Sequence, residues 1–363
     1  MENSGIKELE QLLPEDWEGK AKELKALQRQ RNIRTAEELL HMNLLYVGMG
    51  GSYQATSEMM TLGAGIHMDK NAVYRRIQAS GPWLQYLGKG VCEKTGTLMP
   101  KPSFLRDRCV LVVDGSELPV AGSKGGDYHL HYAFDLFGFT CRDMEVTTIR
   151  QGEKLGLHNI QKGDIVEGDR VYGTISGMEY VRSKEADFIL RLRRNAFILY
   201  DQTLQPQDLL SHLTGMGTHQ IREFQWHYRV GQEYKPVRII VMKNDEVAIA
   251  KAKRRLKRNA SKKQTKPVAE QTALMNEYLV LATSLDFAAE QIIELYRARW
   301  QIEMVFLRLK GLLGMGDIPN KKPESVLAWF YGKLLLAALC EAQVRQISFF
   351  PPASGFSSAQ PLE

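Results

Sequence analysis

The chain has 363 residues, 44% of them hydrophobic and 25% charged, a balance that excludes a disordered or collagen-like protein and accommodates two or three modest domains. A formal net charge of +6 suits an anionic partner without naming one. Cys92, Cys109, Cys141 and Cys340 lack the paired spacing of a zinc ribbon or disulfide framework and read as reduced thiols of a cytosolic protein.

The N-terminal stretch MENSGIKELEQLL is charged and helical, without the apolar run of a signal peptide. Apolar positions recur at helical spacing to about residue 100, broken by glycines at 48, 50, 51, 63 and 65. A helix at 53–60, the turn LGAGIH and a second helix capped by Asp69 have the punctuation of a helix-turn-helix. Arg75 and Arg76 then project toward DNA phosphates; a plain helical bundle with a solvated basic face is the competing reading. GMGG at 48–51 lacks the strand and lysine of a phosphate-binding loop and reads as a turn.

From Cys109 the pattern turns to strands. CVLVVD is an almost wholly apolar run ending at Asp114, as in a buried central strand. HLHYAFDLF and CRDMEVTTIRQ predict two antiparallel strands, with His129 and His131 on one side and no partner at metal-ligand spacing. GDIVEGD leads to Asp169, YGTISGMEYVRSKEA predicts a helix, and DFILRLRR another strand, so an α/β domain is expected. Residues 197–286 read as β-rich, interrupted by a helical or partly disordered segment carrying nine basic residues and no acid between 251 and 266. Such a run is a solvated helix face or a phosphate-backbone contact.

Residues 287–313 predict one unbroken helix, with Leu295, Ile302, Phe306, Leu309 and Leu313 on its packing face. Arg299, Glu303 and Lys310, at offsets of 3, 7 and 14 from Tyr296, fall within ~60° of it, in a stripe ~21 Å long. Taken alone, the stripe is equally an amphipathic surface with an i,i+4 ion pair. A helix near 323–346 and a flexible tail from 347 follow. The apolar stretch VLAWFYGKLLLAALCEA is interrupted by Lys333 and is short for a bilayer, so no membrane association is expected.

Asp114 and Asp169 each end a strand-like segment, where one acid alone is usually a cap or turn former. With Glu303 they form a set of hard oxygen donors suited to Mg²⁺ or Mn²⁺. A pair of such ions supports in-line phosphodiester displacement, so the set points to nuclease or strand-transfer chemistry.

Tyr296-x2-Arg299-x3-Glu303-x6-Lys310 resembles the Tyr-Arg-Glu-Lys signature of bacterial DDE transposases of the insertion-sequence-four group. Asp-Gly-Ser at 114–116, Gly-Asp-Arg-x-Tyr at 168–172 and the strand DFILRLRRN support the resemblance, which covers roughly residues 106–340. It implies an RNase H-like catalytic core with a β-rich insertion between the second aspartate and the glutamate, here 303 − 169 = 134 residues apart. The organisation expected is a helical DNA-binding domain at 1–105, the first part of the core at 106–196, the insertion at 197–286, the C-terminal helices of the core at 287–346 and a tail at 347–363. Asp114, Asp169 and Glu303 are then the ligands of two divalent ions, and Tyr296, Arg299, Lys310 and Trp300 grip the transposon end. Tyr278 is the candidate for stacking on a flipped base in a hairpin intermediate; a core strand aromatic is the competing reading.

The resemblance further implies cut-and-paste transposition by strand cleavage and strand transfer in the bacterial cytoplasm, at the nucleoid. The partners are inverted-repeat and target DNA, and a homodimer forms the synaptic complex. Two alternatives remain at this level: a nuclease of the same fold without strand transfer, and a catalytically decayed transposase acting as a DNA-binding repressor.

Overall fold

Helix starts in the N-terminal region follow side chains that satisfy otherwise unpaired N–H groups. After α1 (Trp17–Glu23), α2 (Ala36–Gly48) opens on a capping box between Thr35 and Glu38. α3 (Tyr53–Ala64) is capped by Ser52 and closes on Gly65 at φ 67°, a conformation glycine adopts without steric cost. α4 (Lys70–Glu93) starts at Asp69, whose carboxylate accepts from the N–H groups of Asn71 and Ala72. The helix, turn and helix expected here are present, but the second helix runs 24 residues. The computed structural model describes residues 9–346 except 95–99, 121, 124, 194–195 and 264–269; the tail expected from 347 lies outside the described residues.

The chain continues through β1 (Val110–Leu118), β2 (Tyr128–Asp135), β3 (Thr140–Thr148) and β4 (Ile165–Gly168). Then come α5 (Ile175–Ser183), β5 (Asp187–Arg191), the short β6 (Leu199–Tyr200) and β7 (Pro206–Gln207), and the long β8 (Ile221–Val230) and β9 (Glu233–Lys243). α6 (Glu246–Lys263) and α7 (Glu270–Met275) precede β10 (Tyr278–Thr283). The last elements are α8 (Ala289–Ala298), α9 (Gln301–Leu307), a π turn at Arg308–Leu312, and α10 (Pro323–Gln346).

Two compact units share these elements. One holds residues 1–101, 115–151 and 301–363; the other holds 102–114 and 152–300. In the first, β2 and β3 form an antiparallel hairpin with a register shift at Ala133 and Phe134. The core of this unit includes Trp83, Leu87 and Val91 of α4 and Trp329, Phe330, Leu334 and Leu335 of α10. α10 is long and apolar enough to cross a membrane, but 78% of its most apolar window is buried inside the structure, as in a core helix.

The second unit is a mixed α/β layer with strand order β1-β4-β5-β10-β9-β8-β6-β7. β1, β4 and β5 run parallel, and β10 returns antiparallel to β5 and β9. Helix α5 makes the crossover that parallel β4 and β5 require. β4 and β10 are buried along their whole length, which explains their nearly continuous apolar sequences.

One helix expected from the sequence is broken. Residues 287–313 form α8, a turn at Arg299 and Trp300, α9 and the π turn. At the break, the N–H groups of Arg299 and Trp300 bond to the carbonyls of Tyr296 and Arg297 at 3.2 and 3.4 Å, a tightening from i−4 to i−3. No glycine or proline marks the position. The break coincides with the Arg299 guanidinium engaging Asp114 at 3.3 Å, a contact 185 residues distant in sequence.

Candidate active site

Strand register places Asp114 and Asp169. Val113 is the partner of Gly168 on adjacent parallel strands, so the next residues, Asp114 and Asp169, stand at the same level; Asp169 follows the last residue of β4, whereas Asp114, expected to end its strand, lies inside β1, which runs on to Leu118. Neighbouring strands lie ~4.8 Å apart. Both acids therefore lie where the β1–β4 pairing ends, beside the C-terminal end of β4, the side on which the crevices of open α/β sheets lie.

Close approach makes the glycines of this turn specific. A Cβ on Gly168 would stand 2.8 Å from the Tyr172 Cβ, and one on Gly173 would stand 2.2 Å from the Arg191 carbonyl oxygen. The Tyr172 N–H donates to the Asp169 carbonyl at 2.9 Å, closing the turn that begins at Asp169. The Gly-Asp-Arg-x-Tyr segment is thus a strand end and turn that hold the Asp169 carboxylate beside β5.

Basic groups surround the pair. The Arg299 Nη1 stands 3.3 Å from Asp114 Oδ2, with the two side chains 12% and 22% exposed. Arg191, which follows the β5 residues paired with β4, reaches within 4.0 Å of Asp169 Oδ1. That Asp169 oxygen is buried and meets no hydrogen-bond donor among the described residues. Tyr296 packs beneath Arg299, whose guanidinium lies 5.7 Å from the ring centroid. Burial pushes the Tyr296 phenol up to about 12, against the opposing pull of Arg299.

Sequence reading missed Glu167. It sits two residues before Asp169 and so shares its face of the strand. The side chain is fully buried, and neither carboxyl oxygen has a hydrogen-bond partner among the described residues. Burial pushes its pKa up to about 8, with Arg299 pulling in the opposite direction. The available signal was an acid inside an otherwise apolar strand, at the register position of Val112 and Ile189. Arg170 was also unassigned. Its Nη1 donates to Asn276 Oδ1 at 2.6 Å, and burial, reinforced by Arg191 and Arg255, lowers its pKa.

The remaining sequence-selected residues fall elsewhere. Glu303 is exposed in the first turn of α9, and Lys310 donates to the Glu117 carbonyl at 2.8 Å; both belong to the first unit. Tyr296, Arg299, Asp114 and Asp169 belong to the second. Trp300 is 52% exposed. Tyr278 is only 6% exposed and its hydroxyl donates to the Leu213 carbonyl at 3.4 Å, so its ring is covered rather than presented to a base. Arg75 is exposed, whereas Arg76 donates to the Arg29 carbonyl. The His129 and His131 rings lie 4.9 Å apart, and His131 bonds to Thr147. Among the described residues, no group of three His, Cys, Asp or Glu side chains stands at metal-holding spacing.

Two acids where the β1–β4 pairing ends, one beside Arg299 and the other near Arg191, suit chemistry on a phosphodiester. Residues 105–339 match the family described as the transposase DDE domain. The chain belongs to that family, whose members cleave and transfer nucleic-acid strands. It is 28% identical over 360 residues to the transposase for insertion sequence element IS421 of Escherichia coli, covering 95% of this chain and 94% of that one. It is 27% identical over 218 residues to the transposase for insertion sequence element IS231E of Bacillus thuringiensis subsp. finitimus, covering 57% of this chain and 44% of that one.

Proposed function

We propose that the protein is the DNA transposase of a bacterial insertion sequence of the insertion-sequence-four group, with an RNase H-like core interrupted by a β-rich segment at 197–286. The observation that carries the catalytic assignment is the register Val113–Gly168, which levels Asp114 with Asp169 on adjacent parallel strands. The Tyr-Arg-Glu-Lys signature, in a chain of this family, supports Glu303 as the third acid of the set.

The donor set fits a hard divalent cation: Asp114 and Asp169 present carboxylate oxygens, and Asp169 Oδ1 is buried without a hydrogen-bond donor. Mg²⁺ or Mn²⁺, as a pair of ions, would supply Lewis-acid activation of the attacking oxygen and stabilisation of the leaving oxygen. Asp114 and Asp169 would hold the ions, with Glu303 as the further ligand that the signature implies. Arg299 lies against Asp114 before binding and is positioned to move onto a phosphate, where its planar fork matches paired oxygens. Tyr296 supports that guanidinium from below. Lys310 contributes a point charge to the DNA end, and the exposed Trp300 ring offers a stacking face for an unpaired base.

The substrate is the inverted-repeat end of the element. Its 3′ strand is cleaved by hydrolysis, and the freed 3′-hydroxyl then attacks target DNA by transesterification. Residues 1–105 bind DNA through Arg75 and neighbouring basic groups, two copies of the chain hold paired ends, and the reaction takes place at the bacterial nucleoid.

Asp169→Asn tests the assignment through two readouts. Calorimetry should show loss of Mn²⁺ binding, and cleavage of an inverted-repeat duplex should disappear while duplex binding persists. Normal Mg²⁺-dependent cleavage by this variant removes Asp169 from the site. Cleaved ends that never join a target plasmid would identify a nuclease instead.

A further inference from the structure

We propose that α6 is a track for the phosphate backbone of DNA, leading a strand to the Asp114–Asp169 edge by way of Arg170. The proposal rests on the cleavage reading above and adds to it a surface outside the Tyr-Arg-Glu-Lys signature.

α6 is one-sided. Ile249, Ala252 and Leu256, at spacings of three and four residues, are its half-buried positions, while Lys251, Lys253, Arg254, Arg255, Lys257 and Arg258 are exposed. Residues 251–258 span ~10 Å of helix axis. One strand of duplex DNA carries a charge per ~3.4 Å, or about three over that length. The cations on the helix are therefore dense enough to meet every phosphate of a strand laid along it.

A solvated basic face normally carries acids three or four residues away, because opposite charges at that spacing stabilise a helix and like charges destabilise it. No acid occurs between Val247 and Ala269. Lys251 with Arg255, Lys253 with Lys257 and Arg254 with Arg258 are like-charged pairs at i,i+4. Among the described residues, only Lys253 of the six has an acidic partner, Glu277 at 2.8 Å. The helix thus keeps an arrangement unfavourable to itself, which an external polyanion would offset.

That one ion pair also shows where the helix leads. Glu277 follows Asn276, whose side-chain oxygen accepts from Arg170 at 2.6 Å. Asn276 is held in turn by donating to the Thr272 carbonyl at 2.6 Å. Arg170 is the chain neighbour of Asp169. The path from α6 to the carboxylate edge therefore runs through consecutive residues at the entrance to β10.

The test uses the full chain and a fluorescein-labelled random-sequence duplex, with anisotropy read across roughly 50 to 200 mM salt. Arg254→Ala/Arg255→Ala/Arg258→Ala keeps good helix formers on α6. It should weaken binding at least tenfold and flatten the log–log salt slope by about 2–3, at ~0.9 per phosphate. Lys162→Ala/Lys184→Ala/Arg229→Ala, which removes equal charge from exposed positions of the same unit, should leave both unchanged. An unchanged slope in the α6 variant, or an equal loss in the control, overturns the track. So does a wild-type chain that prefers phosphatidylserine vesicles to the duplex at equal charge. The two readings separate cleanly: Asp169→Asn that still cleaves, beside an α6 variant with a flattened slope, rejects the cleavage assignment and leaves the track standing. The converse pattern rejects the track alone.

Discussion

Each unit buries a polar cluster, and the two clusters are built in opposite ways. In the first unit, Lys89 of α4 reaches Asp143 at 3.0 Å and Glu145 at 3.5 Å. Gln85 donates to Glu145 at 2.6 Å, and Tyr331 of α10 donates to Glu145 at 3.2 Å while accepting from the Val146 N–H at 3.1 Å. Burial alone would lower the Lys89 pKa, but the two carboxylates outweigh it and hold it raised. In the second unit, both Glu167 oxygens, Asp169 Oδ1, Arg170 Nε and Arg191 Nε are buried without hydrogen-bond partners among the described residues. A satisfied network fixes helices against a strand; unsatisfied groups gathered around β4, the turn after it and β5 are costly to folding and mark a site organised for something other than stability.

The most damaging change should fall on the unsatisfied cluster and leave the fold intact. Asp169→Asn should reduce cleavage of an inverted-repeat duplex at least ~1000-fold, about 4 kcal/mol of barrier, with thermal unfolding unchanged or raised. A matched loss of folding would erase the contrast between the two clusters.

Glu167 should make the second unit sensitive to pH. Its folded-state pKa of about 8 lies above its ordinary value, so between pH ~4.5 and 8 the native state holds a proton that the unfolded chain has released. The stabilising contribution is complete below the ordinary carboxyl range, declines as pH rises through that window and is gone above about 8. The total is on the order of a few kcal/mol. Arg299 is the charged group that opposes the shift. In EDTA, Glu167→Gln should therefore show a flatter dependence of urea midpoint on pH than the unaltered chain; parallel curves would show that Glu167 is not protonated in the fold.

In the satisfied cluster, Glu145→Ala strips partners from Gln85, Lys89 and Tyr331 together. The loss should be about 1–3 kcal/mol, moderated by the partial exposure of Glu145. Chemical denaturation measures it, and the variant should still cleave DNA under conditions where it is folded. The smallest effect on stability belongs to Trp300→Ala, within about 0.5 kcal/mol because the ring is half exposed. Its binding to a DNA end bearing an unpaired base should nevertheless fall by about 1–3 kcal/mol; equal binding would remove the stacking role.

How much of this was legible in sequence depended on the range of the interaction. The cap at Asp69 and the apolar runs of β1 and β4 were legible because each is local, decided by residues within a turn or a strand. The transposase reading was legible through short spaced motifs, and the family match bears it out. The break at Arg299 was not, since Phe287 to Leu313 keeps helical periodicity throughout and the engaging carboxylate lies 185 residues away. Covering of the Tyr278 ring by the segment containing Leu213 was likewise invisible, because a strand aromatic has the same signature whether its face is open or packed.

Sequence by itself determined which residues are available for chemistry: an acid after each apolar run, a glycine where Tyr172 must pack, and an acid-free basic helix. Tertiary structure alone decided their state. The pairing of β1 with β4 levels Asp114 with Asp169, and burial within β4 raises the Glu167 pKa. The reason is physical: identity and periodicity are properties of the local chain, whereas register, desolvation and the approach of Arg299 arise only when segments distant in sequence exclude water from one another.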